Sequence, residues 1–423
     1  MKKRIIQLVA VVLLTCVALV GCDGNSSGKV TEIDGVTVVT NGQSYNIEPV
    51  TVEVKEGEGQ VVYLNQDPIV RYIEAMHSVE ITVDDYCFND QAGAGVAVKD
   101  FWTEGTNVSS GVAVKLSWKS SAKPYTVKVA TNELLEDAET YTVTGRSLEL
   151  INLRMATTYF WTVTDADGET RDVNSFTTAD TVRTMFTGYV NNVRDLGGRM
   201  TSSGKRVRQG LIYRGAEINA QTYEDDNGSK HYINLRNLEY GILHDEIAIR
   251  NEIDFRTDAE TKSLAYSNLG ADVNYFRYPI SSYAGMLCKH SSNGQDNPTM
   301  REYYQNILRL LATASEDNVM FFHCWGGADR TGTIGFLVNG LLGVSYTDLL
   351  IDFELTTFSN NFRSREDNPD YYNYFNTMIT QLKENYQKSD DETISTVIER
   401  YMKECLYLTD ADIAMLKTNL LEQ

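Results

Sequence analysis

The chain is short of positive charge. Lys plus Arg number 38 against 58 Asp plus Glu, for a formal net charge of −20. This argues against general nucleic-acid binding, where a basic surface supplies the non-specific affinity. It still allows a small anion pocket, because one Arg and a few backbone dipoles can outweigh a distant acidic surface. Proline numbers only 6, which removes proline-rich and collagen-like architectures. Histidine is rare, and His231, His244 and His290 have no ligand-like spacing, so neither a metal nor any other cofactor is expected. Cysteine numbers 6, and the widely spaced Cys87, Cys288, Cys324 and Cys405 include no CxxC. Neither a zinc site nor a disulfide framework follows from that spacing. Long apolar runs are absent except at the N-terminus, and no internal repeat of 20–50 residues is visible.

The N-terminal run has the order of a secretory signal. Lys2, Lys3 and Arg4 precede the apolar stretch Ile5 to Val20, which is shorter than a usual membrane span. It closes on Leu19-Val20-Gly21-Cys22, which resembles the lipobox of bacterial lipoproteins. The resemblance implies cleavage of residues 1–21, a lipid on Cys22 and a place in the cell envelope, anchored to a bacterial membrane. Residues 22–29 read as a tether.

The remainder divides into three. Residues 30–95 are β-rich short runs without a chemical motif. Residues 96–180 alternate more clearly, as in Val112 to Trp118 and Tyr125 to Val129. Short alternating strands at close spacing indicate a sandwich. Trp118, Leu153-x-x-x-Thr157-x-Tyr159 and the closing Phe176-Thr177-Thr178 resemble a fibronectin type III domain, with Met155 where that family usually carries Pro. The resemblance implies a spacer or a module contacting protein or glycan. Residues 183–423 change to helical periodicity, at Tyr303, Tyr304, Ile307, Leu308 and Leu311 and again at Ile394 to Tyr401, with apolar strands between. The expected fold is multidomain: an all-β sandwich followed by an α/β domain with a mostly parallel central sheet flanked by helices.

The chemistry concentrates in Val319 to Gly332. Four apolar residues predict a buried strand, a glycine-containing loop follows, and Thr333 to Leu342 predicts a helix. Strand, loop and helix bring the N–H groups of 325–330 to a helix N-terminus, where an anion is favoured. Gly326 and Gly327 give the backbone freedom to curl, and Arg330 can hold two phosphate oxygens with its planar fork. The same field favours the thiolate of Cys324, a nucleophile aligned for in-line attack on phosphorus. His323 supports the loop and the thiolate, and Thr331 can donate to the sulfur as it leaves.

His323-Cys324-x-x-Gly327-x-x-Arg330-Thr331-Gly332 resembles the signature of cysteine-dependent tyrosine phosphatases. Val193-Arg194-Asp195-Leu196-Gly197-Gly198, Gly210 to Arg214, Ile253 to Arg256 with Glu260, and Leu408 to Ile413 extend the resemblance to the bacterial tyrosine-specific/dual-specificity group over the whole α/β domain. It implies a phosphocysteine intermediate and a phosphorylated protein or small phosphate monoester as substrate, bound along Trp325, Gly326, Gly327, Ala328, Asp329 and Arg330. Asp329 fits the group's general acid, and Asp296 is the alternative. Ala328 replaces the Lys usual in phosphoinositide-active relatives, which favours a singly phosphorylated aromatic substrate. Cysteine phytases share much of the signature, so an inositol-polyphosphate phosphatase is the competing enzyme. A non-catalytic holder of phosphorylated ligands is the competing binding protein. Trp325 belongs to the pocket mouth or to the packing. Arg194 and Asp195 are expected to brace the loop, and Arg256 to pair with Glu260.

Overall fold

Alternation along Tyr125–Ala130 buries Tyr125, Val127 and Val129 on one face, and the chain folds accordingly into sheets packed over Trp118, Trp161 and Phe176. The computed structural model describes residues 37–40, 43–46, 49–57, 59–79, 96–103, 106–218, 221–224, 230–233, 237–261, 264–280, 298–359 and 369–423. The expected signal segment, the tether, Cys22, Cys87, Cys288, His290 and Asp296 lie outside these residues.

The N-terminal region is β-rich with mixed sheets. One sheet has five strands in the order Val61–Val62, Asn174–Thr178, Thr158–Thr164, Tyr125–Ala130, Glu139–Val143. The other has three, Thr51–Lys55, Ala113–Ser117 and Ser147–Leu150. Each sheet takes one strand from residues 51–62, paired parallel to its neighbour. A hairpin of Thr37–Thr40 with Gln43–Asn46 stands apart from both.

Between Val62 and Ala113 none of the described residues forms a strand of either sheet. Asp67–His77 is a helix whose buried Ile69, Tyr72, Ile73 and Met76 recur at helical spacing. A strand-only reading of residues 30–95 misses it. Its buried face packs on the α/β domain, where the Tyr72 hydroxyl donates to Glu354 at 3.2 Å.

The C-terminal α/β domain is built on a five-stranded sheet. The order is Arg194–Asp195, Ile212–Gly215, Val319–His323, Ile249–Asp254, Asn274–Arg277. The first pair is antiparallel and the other three are parallel. Val319–His323 is central and wholly buried, as a continuous apolar run between two parallel neighbours should be. The helix Asp329–Leu342 follows it directly and is buried from Thr331 to Leu342. The helices Pro298–Leu311, Tyr346–Glu354, Pro369–Tyr386, Ile394–Glu404 and Asp410–Leu420 pack into the same core. Among the described residues no helix is long and apolar enough to cross a membrane.

Polar bonds tie the two regions. Arg183 donates to the carbonyl of Leu153 at 2.8 Å and pairs with Asp195 at 2.8 Å. Gln209 accepts from the Met155 N–H at 3.0 Å and donates back to its carbonyl at 3.2 Å. A proline at 155 would lack that N–H.

Candidate active site

Val319–His323 runs to the C-terminal edge of the parallel sheet, where such folds place ligands. Cys324 follows at once, 2% exposed and unpaired. The next four residues reverse the chain into the helix beginning at Asp329.

The carbonyls from Cys324 to Gly327 are each held by a group outside the loop, and that of Ala328 by the helix that follows. His323 Nδ1 donates to the Cys324 carbonyl at 3.0 Å, and the Glu217 N–H donates to that of Trp325 at 3.1 Å. Asn192 Nδ2 reaches the Gly326 carbonyl at 3.0 Å, and Arg214 Nη2 reaches that of Gly327 at 2.7 Å. The Gly332 N–H closes on the Ala328 carbonyl at 2.7 Å. A planar trans peptide points its N–H opposite to its C=O, so carbonyls held on the outside leave N–H groups on the inside. Those of Trp325, Gly327 and Ala328 meet no acceptor among the described residues. The concave side is therefore a nest for an anion at a helix N-terminus.

Gly327 makes the curl possible. Its φ is +69°, and a Cβ there would stand 2.4 Å from the C and O atoms of Gly215. Left-handed backbone and close approach both require glycine.

Arg330 leaves the first helical turn toward Glu260. Its Nη1 and Nη2 meet the two carboxylate oxygens at 2.7 and 2.6 Å. Burial would lower the guanidinium's pKa, but Glu260 and the charge at Cys324 raise it above its ordinary value. The same pairing brings Glu260 down to about 2, against burial that would raise it. Glu260 thus takes Arg330 in place of the expected Arg256. Arg256 is bound instead to Asp254 at 2.6 Å and to Glu217 at 2.5 Å. Arg256 lies beneath the site, next to the His323 cluster, whereas Arg330 carries its fork to Glu260 on the short helix Asp258–Thr261.

Behind Cys324, His323 is fully buried, with Nε2 2.9 Å from Glu252 Oε1. Burial disfavours the imidazolium, but Asp254 and Glu252 outweigh it and raise its pKa. Asp254 is brought down to about 2: burial opposes ionisation, while His323 and Arg256 favour it. Glu252, Asp254 and His323 bring three possible metal-ligand atoms within 4.8 Å of one another. These groups are already engaged: Asp254 by Arg256 and by the Tyr275 hydroxyl at 2.7 Å, and His323 by Glu252 and the Cys324 carbonyl.

The remaining expected residues fall as follows. Asp329 is half-buried at the first position of the helix, beside Arg330. Thr331 is fully buried, and its hydroxyl has no partner among the described residues. Ala328 is buried, whereas Trp325 is 49% exposed, which puts the indole at the rim rather than in the packing. Arg194 braces the loop indirectly, through Asn192 Oδ1 at 2.5 Å. Asp195 does not reach the loop. It accepts from the N–H groups of Gly197 and Gly210 at 2.8 and 2.7 Å and from Arg183.

Sequence reasoning missed Glu217, Asn192 and Asp352. Asp352 joins Arg194 Nε at 2.7 Å and also Arg214, so one carboxylate fixes two of the arginines behind the loop. Burial pushes the Glu217 carboxyl up to about 7, with Arg256 pulling the other way.

Residues 187–422 match the tyrosine phosphatase family. A Cupriavidus necator protein provisionally named a tyrosine-protein phosphatase is 26% identical over 178 residues, which are 39% of this chain and 59% of that protein. The chain thus spans about three fifths of that relative's length. Among solved structures, P. aeruginosa TpbA is 16% identical, over 43% of this chain and 91% of its own, with a TM-score of 0.25. The catalytic core of the S. cerevisiae PP-IP phosphatase Siw14 is 13% identical, over 42% and 90%, with a TM-score of 0.24.

Proposed function

Since this chain belongs to the tyrosine phosphatase family, we propose that it hydrolyses phosphate monoesters, protein phosphotyrosine foremost, through a phosphocysteine formed on Cys324. The observation that carries this reading is the ring of outward-held carbonyls from Cys324 to Gly327, which leaves a nest of N–H groups beside a buried thiol and a cationic Arg330.

The phosphoryl group sits in the nest with two oxygens on Arg330. The Cys324 thiolate attacks phosphorus as the bond to the ester oxygen breaks. Asp329 gives that oxygen a proton and leaves as a carboxylate. A water then attacks phosphorus and surrenders a proton to Asp329, while the P–S electron pair returns to sulfur. Thr331, whose buried hydroxyl has no partner among the described residues, donates to the departing thiolate. Ala328 contributes no charge to the rim, and Trp325 offers an exposed indole to an aromatic ester.

A fibronectin type III-like reading of the N-terminal sandwich is supported by its five- and three-stranded sheets. It is supported too by Tyr159, a buried ring whose hydroxyl accepts the Arg154 N–H at 2.9 Å. The lipid anchor at Cys22 and the cell-envelope location rest on the residue order of the first 22 positions.

Phosphate release from phosphotyrosine peptide, phosphoserine peptide and phytate, with EDTA present, tests the enzyme reading. Phosphotyrosine turnover is expected in the wild type, none in Cys324→Ser, and a collapse in Asp329→Asn. Turnover of phytate alone would move the chain to the inositol class. Phosphate binding without turnover would make it a holder of phosphorylated ligands.

A further inference from the structure

Asn107 to Ser109 belong by sequence to the N-terminal region, yet they are fastened to the surroundings of the loop 324–330. Asn107 Nδ2 donates to Asn191 Oδ1 at 2.8 Å. The Val108 N–H donates to the Phe358 carbonyl at 2.8 Å, and Asn107 pairs with Ser359 in an isolated antiparallel bridge. Asn107 is itself shaped locally, since its Oδ1 accepts from the N–H and hydroxyl of Ser109 at 3.1 and 2.9 Å.

The two stretches this segment joins meet at Asn192, which holds Gly326. Asn192, next to Asn191, donates from the same Nδ2 to the Gly326 carbonyl at 3.0 Å and to Thr356 Oγ1 at 3.1 Å. Its φ of +59° is a conformation that asparagine tolerates and most residues do not. The carbonyl of Asn191 accepts the Ala216 N–H at 3.0 Å, beside the Gly215 backbone that Gly327 crosses. Asn192 thus holds one loop carbonyl and is itself tied to Thr356, and Asn107–Val108 spans the two stretches from outside.

We propose that Asn107 to Ser109 are a positioning element of the phosphate loop, so that the working catalytic unit includes part of the N-terminal region. The inference rests on the phosphatase reading only for its kinetic consequence. The loop's affinity for phosphate tests it separately. With the span released, Asn192 keeps Arg194 on its Oδ1 but loses the brace on the Asn191 side, so the Gly326 carbonyl has a less fixed donor and the N–H nest loosens. The action passes through Asn192, so Asn107 touches no reacting atom. One hydrogen bond in such a chain is worth about three- to tenfold in binding.

The test uses the full chain and inorganic phosphate, with Kd read by calorimetry, in Asn107→Ala, Asn192→Ala and the double variant, with thermal midpoints alongside. The expected result is a Kd three to ten times weaker in Asn107→Ala. In the double variant, no loss is expected beyond that of Asn192→Ala, because the two act in series. A Kd within twofold of wild type, with or without a lowered midpoint, overturns the proposal, as do additive losses. Wild type that binds phosphate in this Asn107-dependent way but turns over no monoester would sink the phosphatase reading and leave this one standing. Wild type that binds no phosphate overturns the positioning role.

Discussion

Glu260 takes the guanidinium of Arg330 in a two-pronged grip, at 2.6 and 2.7 Å, across 70 residues of sequence. The fork that is to hold a phosphoryl group is thereby aimed by the protein before any ligand arrives. Glu260→Gln keeps one acceptor oxygen and loses the charge. Its kcat/KM on phosphotyrosine peptide is expected to fall about tenfold or more at pH 7. Glu260 is depressed from 4.5 to about 2, so its contribution to stability is present above the unfolded value and lost as pH falls from there toward 2. Thermal midpoints between pH 5 and 2 should accordingly fall more steeply in wild type than in the variant. Parallel slopes would show that the pair does not form.

Glu217 behaves in the opposite sense. Burial raises it from 4.5 to about 7, while Arg256 and His323 pull down and Asp254 pushes up. Between those two values the folded chain binds more protons at this site than the unfolded chain, so its share of stability declines as pH rises. Glu217→Gln cannot ionise and keeps an acceptor for Arg256. Its midpoint should gain on wild type from pH 5 to about pH 7 and then level off. An unchanged difference across that range would mean Glu217 ionises normally beside Arg256.

Gly327→Ala should leave a folded, inactive protein. The new Cβ would face the Gly215 carbonyl carbon and oxygen at 2.4 Å and the Ala216 nitrogen at 2.7 Å, all backbone atoms that cannot step aside. The φ of +69° adds strain of its own. The loop must shift, and a shift of about 1 Å costs on the order of a hundredfold in rate. Circular dichroism should match wild type while phosphate release drops at least that far. Activity within threefold would show that the loop tolerates a different curl.

What was legible in advance was whatever lies close together in the chain. Cys324, Asp329, Arg330 and Thr331 occupy one short stretch in which strand, loop and helix follow in order, so their convergence could be read from spacing. The central parallel strands were visible as apolar runs for the same reason. The partners behind the loop could not be read, because they come from distant turns with ordinary composition. Asp352 is one acid among 58 Asp and Glu, and nothing around it in sequence shows that Arg194 and Arg214 will close on it. Arg256 and Arg330 both had access in sequence to Glu260, and only the packing shows that Asp254 and Glu217 occupy the former. The helix Asp67–His77 was hidden by β-branched neighbours, and its amphipathic face makes sense only against Glu354 and Phe358 of the other region.

Asp352 offers the sharpest test of that hidden frame. Its Oδ1 takes Arg194 Nε at 2.7 Å, its carbonyl takes Arg194 Nη2 at 2.6 Å, and its Oδ2 takes Arg214. Arg214 then holds the Gly327 carbonyl, and Arg194 holds Asn192, which holds Gly326. Burial alone would keep this carboxyl protonated, but the two guanidinium groups bring it far below the usual range. Asp352→Asn leaves two buried cations facing a neutral amide, and breaking such a cluster from one side costs about 3–5 kcal/mol. Denaturant melts at pH 7 should show a loss of that size. Residual folded protein should bind phosphate more weakly, because both loop carbonyls lose a fixed donor. The carboxyl is depressed, so its contribution exists above the unfolded value of 3.8 and drains away as pH falls below it. Wild type and variant should therefore converge in stability toward pH 2. A gap that stayed constant with pH would assign the loss to packing, and the charged frame behind the loop would then have no part in holding it.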